Sequence, residues 1–527
     1  MRTDVVIVGA GAAGLLAGVA ARRLGHDVLV IERSAAVGSA TAAADGHLWA
    51  PGNDLMGRGG TPSDTPEESL SYLNGLAAPA DDVMAARRLA FTRTAAVVSR
   101  WLVSSRIGLE VVRGLPDCRP ASEGAKTQGR TLRAKASTVR LDDEWSGRLQ
   151  RSGNDEDAGL WTRLRRLGRG APPGAGGTLV AELLRRAVSS GVELWLESPM
   201  IELLVTDGAV TGVRVDREDG EVDVIAERGV LLACGGFEAD AELRKQHLPG
   251  PTSVSWSVGG GNDGAALRAG AQVDAALAEL DRAWWVPVLL ADGAAHRVDV
   301  ARVAPHGMIV DVAGDRYFNE AEPGVWAGQR MYEHNRGGLS VPSFLVLDSR
   351  HRKQHDLGPW PAGSSAKAAI EAGELLRATS LQELAEGLTV DRAGLLGSAV
   401  AFNQLAKRGR DTDFRRGDSA WDKYFGDPLL RRNPSLGSVD RQPFWGVRIY
   451  PGDAGTAGGL VIDERSRVLR TDGTPVAGLW ACGGAAATCF GGAQPGEGAA
   501  LSAALVEAYR GIVDLSDQLD RIDEALA

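Results

Sequence analysis

A glycine-rich turn between two short hydrophobic segments near the N-terminus constrains the fold of this chain more than any other feature. The stretch from Asp4 to Val8 consists mostly of β-branched residues, which is typical of a strand buried on both faces. It leads into the sequence GAGAAG at 9–14, and a helix-forming stretch then runs to Leu24. A second hydrophobic segment ends at Glu32. The pattern predicts a complete βαβ unit.

This unit has the features of a dinucleotide-binding turn. Gly9 permits the tight turn, Gly11 lets the backbone approach a pyrophosphate, and Gly14 lets the helix pack closely on the strand. The free N–H groups at the start of the helix then face the phosphates. Glu32 lies at the distance from which an acidic side chain accepts a hydrogen bond from a ribose 2′-hydroxyl. The sequence therefore predicts a nucleotide-binding site.

Three later features favour FAD over a nicotinamide dinucleotide. The stretch 33–46 is small and polar, as expected of a segment that runs extended beneath a long cofactor. Two hydrophobic strands enter glycine turns, at 229–236 and at 478–484. The glycine-rich segment 490–498 then precedes a helix at 499–509. The N-terminus of such a helix stabilises the negative charge of a reduced flavin.

Composition excludes several other classes of protein. The net charge is −10 and no block of five basic residues occurs, so we expect no nucleic-acid partner. Four cysteines without CxxC or Cys/His spacing predict neither a disulfide framework nor a metal site, and they fit a reduced, cytoplasmic setting. We expect no signal peptide, because the chain enters its first strand at once. No hydrophobic run approaches the ~18 residues of an integral membrane segment.

Seven further segments carry a family pattern, and their order and spacing extend it over nearly the whole chain. They are ATAAADGHLWAPGN at 40–53, GGTL at 176–179, ACGGFE at 233–238, GNDG at 261–264, DRYFNE at 315–320, PGDAGTAGG at 451–459 and QPGEG at 494–498. With these segments the chain resembles the FAD-dependent fumarate reductase and 3-ketosteroid dehydrogenase superfamily. The resemblance is closest to the 3-ketosteroid Δ1-dehydrogenase branch.

The resemblance implies an α/β fold, in which a Rossmann-type FAD-binding domain of the GR2-like kind carries an inserted α+β catalytic domain. The FAD-binding domain is expected to be discontinuous, at 1–275 and 442–527, with the catalytic, substrate-capping domain at 276–441. Hairpin turns at 207–208 and 219–220 separate alternating strands, which predicts a small antiparallel sheet inside the FAD-binding domain.

We expect FAD to be bound noncovalently, because the attachment histidine of the membrane-complex branch falls on Ala40. His47 lies nearby in a segment that matches backbone contacts, so we expect its side chain to be packed or hydrogen-bonded. The fingerprint and the matching segments together indicate the cofactor-binding residues. These are Gly9, Gly11, Ala13, Gly14, Glu32, Arg33, Ser39, Thr41, Gly46, Ile201, Cys234, Gly235, Asp263, Gly483, Gly498, Ala500 and Leu501.

The catalytic tyrosines of the ketosteroid dehydrogenases are not retained. In that branch the flavin takes a hydride from the carbon β to a ketone while a tyrosine removes the α proton, and a second tyrosine and a backbone N–H hold the ketone oxygen. The N–H falls on Gly498, which is present. The oxygen-binding tyrosine falls on Gln494 and the base on about Gly324, while a third, supporting tyrosine falls on Cys118 or Arg119.

The fumarate reductase residues are missing as well. The proton-donating arginine of that branch also falls near Gly324, its dicarboxylate-binding arginine on Gln494 and its histidine on Gly455. Gln494 can still donate an N–H to a carbonyl, so together with Gly498 we expect it to polarise a ketone. The carboxylate of Glu497 would compete with a flavin anion, and we therefore expect it on the solvent side of the last helix.

The missing base needs a replacement. The sequence AEPGVWAGQRMYEHN at 321–335 places Arg330, Tyr332 and His334 one or two helical turns beyond the old base position. We favour Tyr332, because the alkaline pKa of a phenol, ~10, suits abstraction of a weakly acidic α proton. His306 and Tyr317 flank the preceding strand and are further candidates.

The sequence thus predicts a FAD-dependent dehydrogenase that acts on a CH–CH bond next to the carbonyl of an apolar or cyclic small molecule, and passes the electrons to a separate acceptor. Two alternatives stay open. One is a flavin-dependent enone or alkene reductase of the fumarate reductase type. The other is a flavin-binding protein without catalysis.

Overall fold

The computed structural model describes residues 1–77, 80–135, 141, 143–150 and 175–526. Its strands, numbered in chain order, are β1 (Arg2–Val8), β2 (Val28–Ile31), β3 (His47–Trp49), β4 (Leu109–Val111), β5 (Thr131–Ala134), β6 (Glu193–Trp195), β7 (Met200–Thr206), β8 (Ala209–Arg217), β9 (Gly220–Leu232), β10 (Leu277–Ala278), β11 (Ala283–Ala291), β12 (Ala294–Arg297), β13 (Gly307–Val310), β14 (Ser343–Leu347), β15 (Leu376–Ala378), β16 (Phe444–Thr456), β17 (Gly459–Leu460), β18 (Arg467–Leu469) and β19 (Pro475–Ala481).

The α-helices are numbered in the same way. They are α1 (Ala12–Arg23), α2 (Ser39–Ala43), α3 (Pro66–Leu76), α4 (Asp82–Ser104), α5 (Asp143–Ser146), α6 (Ala175–Ser189), α7 (Ala241–His247), α8 (Ala265–Ala271), α9 (Asp299–Val303), α10 (Gly324–His334), α11 (Ser349–Gln354), α12 (Lys367–Glu371), α13 (Leu381–Leu388), α14 (Arg392–Arg408), α15 (Ala420–Phe425), α16 (Ala499–Leu515) and α17 (Leu519–Leu526). Short 3₁₀ turns occur at Val254–Trp256 and Gly483–Ala485.

The predicted βαβ unit forms the centre of the first sheet. β1 lies between β2 and β9, and both neighbours run parallel to it. The full order is β18-β19-β9-β1-β2-β6, with only the β18–β19 pair antiparallel along this path. Val5 and Ile7 pack in the core on the α1 and α16 side, whereas Val6 packs in the core on the opposite face. Because β1 is covered on both faces, its hydrophobic run needs no polar alternation.

The antiparallel strands β7 and β8 extend this sheet rather than forming a separate one. β8 pairs with the first half of β9, and the second half of β9 pairs with β1. The first predicted hairpin turn is at Asp207-Gly208, where both residues have positive φ. The second turn comes one residue earlier than predicted, because Gly220 already pairs with Arg217 inside the ladder.

A second, antiparallel sheet is built around β16. Its order is β12-β11-β16-β14-β13, and β15 also pairs with β16. The strand at 444–456 therefore belongs to this sheet, although the predicted boundary at 442 assigns it to the FAD-binding domain. The pairing of β16 with β11 and β14 joins residues on both sides of that boundary, and the division into domains stays a prediction.

A buried ion network holds the small sheet β3-β5-β4 against the rest of the molecule. Arg130 donates to both carboxylate oxygens of Asp64, at 2.9 and 2.7 Å, and to Asp117 at 2.7 Å. Asp117 also accepts a hydrogen bond from the indole of Trp49 at 2.8 Å. All three charged side chains are at most 2% exposed. This network fixes the position of Trp49.

We expect Arg130→Met to lower the free energy of unfolding by about 3–5 kcal/mol, because it leaves two carboxylates buried without their cation. Urea denaturation followed by circular dichroism measures this loss. The control is Arg214→Met, which removes an arginine that pairs with Asp223 at the surface. That variant should lose no more than ~1 kcal/mol. Equal losses in the two variants would contradict the assignment of Arg130 to a buried network.

Candidate active site

A cavity of about 860 Å³ lies between the first sheet and the second. One end is lined by the β1–α1 turn, the end of β2, the segment 39–47 and the turn after β9. The other end is lined by parts of β11, β12, α9 and α15 and by the start of α10. The N-terminus of α16 contributes the wall between them. The cavity is at the upper end of the size range of small-molecule sites.

The glycine turn at the first end is as tight as its sequence indicates. A Cβ on Gly9, which has φ +111°, would lie 2.4 Å from the carbonyl oxygen of Ala233, and a Cβ on Gly14 would lie 1.9 Å from that of Gly9. A Cβ on Gly11, in contrast, would meet no protein atom within 4 Å. Gly11 therefore faces open cavity, where a cofactor can approach the backbone.

Glu32 lines the cavity at the end of β2, as the fingerprint requires. Its carboxylate accepts hydrogen bonds from the N–H groups of Ala10 and Ser34, at 2.9 and 3.0 Å. These bonds hold the side chain next to the glycine turn, so that the remaining lone pairs of the Glu32 carboxylate have a fixed position beside the cavity.

Most of the predicted cofactor-binding residues lie in the wall of this cavity. Gly14 does not line it and acts instead through close packing of α1 on the turn. Ile201 is a correction, because its side chain is 45% exposed at the surface and its neighbour Met200 lines the cavity instead. The strand alternates, so a shift of one residue exchanges the two faces. The predicted residues in the wall are Gly9, Gly11, Ala13, Glu32, Arg33, Ser39, Thr41, Gly46, Cys234, Gly235, Asp263, Gly483, Gly498, Ala500 and Leu501.

His47 lines the cavity, but one of its ring nitrogens is closed off from it. The Nδ1 atom is buried with no hydrogen-bond partner among the residues that the structure describes. Burial lowers the pKa of the imidazole, which favours the neutral ring. Of the two expected arrangements, Nδ1 is therefore packed rather than hydrogen-bonded within the described part of the chain.

The segment 494–498 is held rigidly at the entrance to α16. The carbonyl oxygen of Pro495 accepts hydrogen bonds from the hydroxyl of Tyr72, at 2.8 Å, and from the N–H of Cys118, at 2.9 Å. A Cβ on Gly496 would lie 2.1 Å from the ring of Trp49. The segment therefore has little room to move, and it carries Gln494 and Glu497 into the cavity wall.

Gln494 and Gly498 offer hydrogen-bond donors at this wall. The side-chain amide of Gln494 and the N–H of Gly498 have no acceptor within the described part of the chain. Gly498 has φ +84°, and a Cβ there would lie 2.0 Å from the carbonyl oxygen of His47. The N–H of Ala499, at the start of α16, donates to the carbonyl of Gly496 at 3.2 Å. Two donors that converge on a cavity can bind one carbonyl oxygen.

Glu497 lies in the cavity wall and not on the solvent side of α16, which corrects the expectation from the sequence. Burial raises the pKa of its carboxyl to about 7, although the charge of Arg297 opposes the shift. Asp299 and Asp45 face it as well and add to the increase. A carboxyl in this range exchanges its proton near neutral pH.

A chain of hydrogen bonds fixes the charged groups opposite Glu497. Arg302 donates to the carbonyl oxygens of Glu320 and Glu322, at 2.7 and 2.6 Å, and to Asp299 at 3.0 Å. Arg297 donates to the other carboxylate oxygen of Asp299 at 2.7 Å. Burial disfavours the charge of Asp299, but the two arginines outweigh it and lower its pKa. Asp299 is therefore held as a carboxylate.

Gly324, the position of the absent family base, borders this charged group. A Cβ on Gly324 would lie 3.3 Å from the carbonyl oxygen of Trp285, 3.5 Å from the carboxylate of Asp299 and 3.7 Å from the guanidinium of Arg302. Aromatic side chains complete this end of the cavity. They are Trp284, Trp285, Trp421, Tyr424 and Phe425.

The three predicted replacements for the base lie outside the cavity wall. Tyr332 donates to the carbonyl oxygen of Pro251 at 3.2 Å, and burial raises its pKa. His334 pairs with Asp311 at 2.9 Å, and Arg330 pairs with Glu333 at the surface. Only the start of α10 lines the cavity. At 1.5 Å per residue, the helix carries positions 330–334 about 9–15 Å farther on.

The two further candidates also have other partners and do not line the cavity. The ring of His306 bonds to the carbonyl oxygen of Ser438 at 2.8 Å, and Tyr317 bonds to the hydroxyl of Ser343 at 2.6 Å. The sequence analysis did not identify Arg297 and Asp299. They lie on β12 and at the start of α9, outside every segment with a family pattern, so the sequence offered no signal for them.

Comparison with known proteins agrees with this site. Residues 4–501 match the sequence family described as FAD binding domain. The chain belongs to this family. It is a FAD-dependent oxidoreductase, and its predicted fold class and cofactor are confirmed. Within the described ranges, every helix is too short or too polar to span a lipid bilayer.

Its relatives confirm the predicted resemblance. The chain is 32% identical to the 3-oxosteroid 1-dehydrogenase of Mycobacterium tuberculosis, over 98% of both chains. It is 31% identical to the 4-oxocyclohex-2-ene-1-carboxylate 5-dehydrogenase of Sinomonas cyclohexanicum, over 96% of this chain and 92% of the relative. The crystal structure of 3-ketosteroid Δ1-dehydrogenase from Sterolibacterium denitrificans superposes with a TM-score of 0.90, at 30% identity over 98% and 99% of the two chains.

We expect Gly11→Ala to fold normally but to lose most of its FAD affinity. The added methyl group meets no protein atom, so any loss reports on the molecule that occupies the adjacent space. Flavin absorbance after desalting and a thermal unfolding curve of the apoprotein measure the two properties. Gly75→Ala is the control, because its Cβ is equally unobstructed but lies on exposed α3. Full flavin content in Gly11→Ala would contradict the placement of the cofactor.

Proposed function

We propose that this protein desaturates the C–C bond next to the carbonyl of a cyclic ketone. The observation that carries the proposal is a pair of donors in the cavity wall, the amide of Gln494 and the N–H of Gly498, neither of which has an acceptor among the described residues. A carbonyl oxygen bound there gains stabilisation as negative charge develops on it. The α proton of the ketone is thereby made more acidic.

The relatives support a ring ketone as the substrate class. One is named a 3-oxosteroid 1-dehydrogenase and another a 4-oxocyclohex-2-ene-1-carboxylate 5-dehydrogenase. Both names describe removal of hydrogen from a molecule that carries an oxo group. The present cavity supplies aromatic walls for a ring, with Trp284, Trp285 and Trp421 at the end farther from the glycine turn.

Each part of the wall has a distinct task in this reaction. Bound FAD supplies the acceptor for the hydride that leaves the β carbon. Gln494 and Gly498 orient the ketone and stabilise its oxygen, and the aromatic residues exclude water from the ring.

All four cysteines are free thiols, which supports the reducing, cytoplasmic setting that we propose for the protein.

Anaerobic mixing of the oxidised protein with 4-oxocyclohexane-1-carboxylate or with androst-4-ene-3,17-dione tests the proposal. Bleaching of the flavin absorbance near 450 nm, with formation of the unsaturated ketone, is the expected result for at least one of them. If neither ketone bleaches the flavin, whereas the reduced protein is reoxidised by the corresponding enones, the protein is a reductase instead. No reaction in either direction would indicate a flavin-binding protein without catalysis.

We expect Gln494→Leu to slow flavin reduction by ~10² or more, the usual cost of losing one donor to a developing oxyanion. The flavin content and the fold should be unchanged, since no group in the described part of the chain forms a hydrogen bond with the Gln494 amide. Stopped-flow absorbance with the reactive ketone measures the rate. The control, Gln404→Leu, changes an exposed residue on α14 and should reduce at the wild-type rate. An unchanged rate in fully flavinated Gln494→Leu would assign Gln494 to structure alone.

A further inference from the structure

We propose that Glu497 is the base that removes the α proton, in place of the family tyrosine that this chain lacks. The inference rests on the proposed function and assigns its missing proton acceptor. It is independent of which ring ketone the protein accepts.

The surroundings of Glu497 coincide with the positions that the missing tyrosines would occupy. The thiol of Cys118, one of the two positions on which the supporting tyrosine falls, is close enough to Glu497 for their charges to interact. Asp299 and Arg302 interact with Glu497 as well, and these are the side chains that a Cβ on Gly324 would approach. Glu497 reaches the same region of the cavity from a different element.

The backbone presents Glu497 beside the groups that would hold the ketone oxygen. Its chain neighbour Gly498 supplies the N–H donor, and Gln494 precedes it by three residues in the segment fixed through Pro495. No hydrogen bond to the Glu497 carboxylate is found among the described residues. A base must have a free lone pair within reach of the carbon next to the carbonyl, and this arrangement provides one.

Several of the other ionisable groups around Glu497 are less suited to accept the proton. Asp299 is held between two arginines, and Arg297 and Arg302 are cations. Burial raises the pKa of Cys118 well above its usual value and lowers that of His47, so neither is a good acceptor. Asp45 adds negative charge nearby. Two further ionisable residues of the cavity wall are His296 and Tyr424.

The ionisation of Glu497 sets the direction in which the rate of flavin reduction changes with pH. Burial raises the pKa of the carboxyl to about 7, so the group is largely protonated below that pH and ionised above it. Only the ionised form can accept a proton. The rate of flavin reduction should therefore rise as the pH increases through about 7 and then level off.

The proposed step balances with FAD as the oxidant. The α C–H bond breaks and its proton goes to a carboxylate oxygen of Glu497, while the electron pair forms the new C=C bond. The β C–H bond breaks with its electron pair, which passes as hydride to FAD. The ketone is oxidised by two electrons and the flavin is reduced by two, and Glu497 then returns its proton to solvent.

Two readouts on the flavinated protein test the assignment, with 4-oxocyclohexane-1-carboxylate and androst-4-ene-3,17-dione as probes. The first is the pH profile of flavin reduction in Glu497→Gln, Glu497→Asp and the control Glu218→Gln, which changes an exposed residue in the turn between β8 and β9. The second is deuterium uptake from D₂O into the α position of each probe while the flavin is kept photoreduced, so that no hydride can be accepted. Flavin content and thermal unfolding verify that each variant is folded and loaded.

We expect Glu497→Gln to reduce its flavin ~10² to 10⁴-fold more slowly, the range for loss of a general base, and to stop deuterium uptake. Glu497→Asp should keep part of both activities and retain a rising pH limb, and Glu218→Gln should match the wild type. If Glu497→Gln exchanges and reduces at the wild-type rate, or if Glu218→Gln shows the same losses as Glu497→Gln, the assignment is overturned while the proposed function stands. If the wild type itself neither exchanges α protons nor reduces its flavin with either probe, both fall.

Discussion

The carbonyl oxygen of Pro495 is the point on which the reactive end of the cavity depends. Its two hydrogen bonds, from the Tyr72 hydroxyl and the Cys118 N–H, join the entrance of α16 to α3 and to the segment after β4. The ring of Trp49 packs against Gly496 in the same segment, and the indole of Trp49 is held by its hydrogen bond to Asp117 in the Arg130 network. The donors at 494 and 498 therefore have fixed positions before any ligand arrives. Preorganised donors of this kind do not have to reorganise when charge develops on a bound oxygen.

Charged side chains line the part of the cavity wall that interacts with Glu497. Asp299 and its two arginines form a charged group that is anchored through Arg302 on the backbone at 320 and 322. The charge of Arg297 favours the ionised form of Glu497, but burial outweighs it and raises the pKa of the Glu497 carboxyl to about 7. Where the family resemblance implies phenols, this chain has a carboxyl and an ion pair. The same fold can thus carry a different proton-transfer chemistry.

The parts of the site that follow from short-range geometry could be predicted from the sequence. The turn at 9–14 is an example, because only glycine fits against the carbonyl oxygens of Ala233 and Gly9. The roles of Gln494 and Gly498 came instead from the family resemblance, and they stay a prediction. The orientation of Glu497 could not be predicted, because an acidic residue at a helix start is favourable on either side. What decides it is the contact of Gly496 with Trp49, which are distant in sequence.

Site residues that belong to no sequence motif could not be predicted. Arg297 and Asp299 reach the cavity because β12 folds back on β11, a pairing that no motif marks. Tyr332 was predicted from its side-chain chemistry, which suits a base. The direction of α10 instead places its hydroxyl next to the carbonyl oxygen of Pro251, outside the cavity wall. The register of the β8–β9 hairpin differs from the prediction by one residue for a similar reason, because the ladder rather than the Asp-Gly pair sets the turn.

A crystal structure of the oxidised protein with FAD and a bound cyclic enone tests the central claim most directly. The account predicts that the enone oxygen lies about 3 Å from both the Gly498 nitrogen and the Gln494 amide nitrogen, with the α carbon facing the carboxyl of Glu497. An enone whose oxygen is held by Arg297 instead, with Glu497 turned away from the ring, would contradict it.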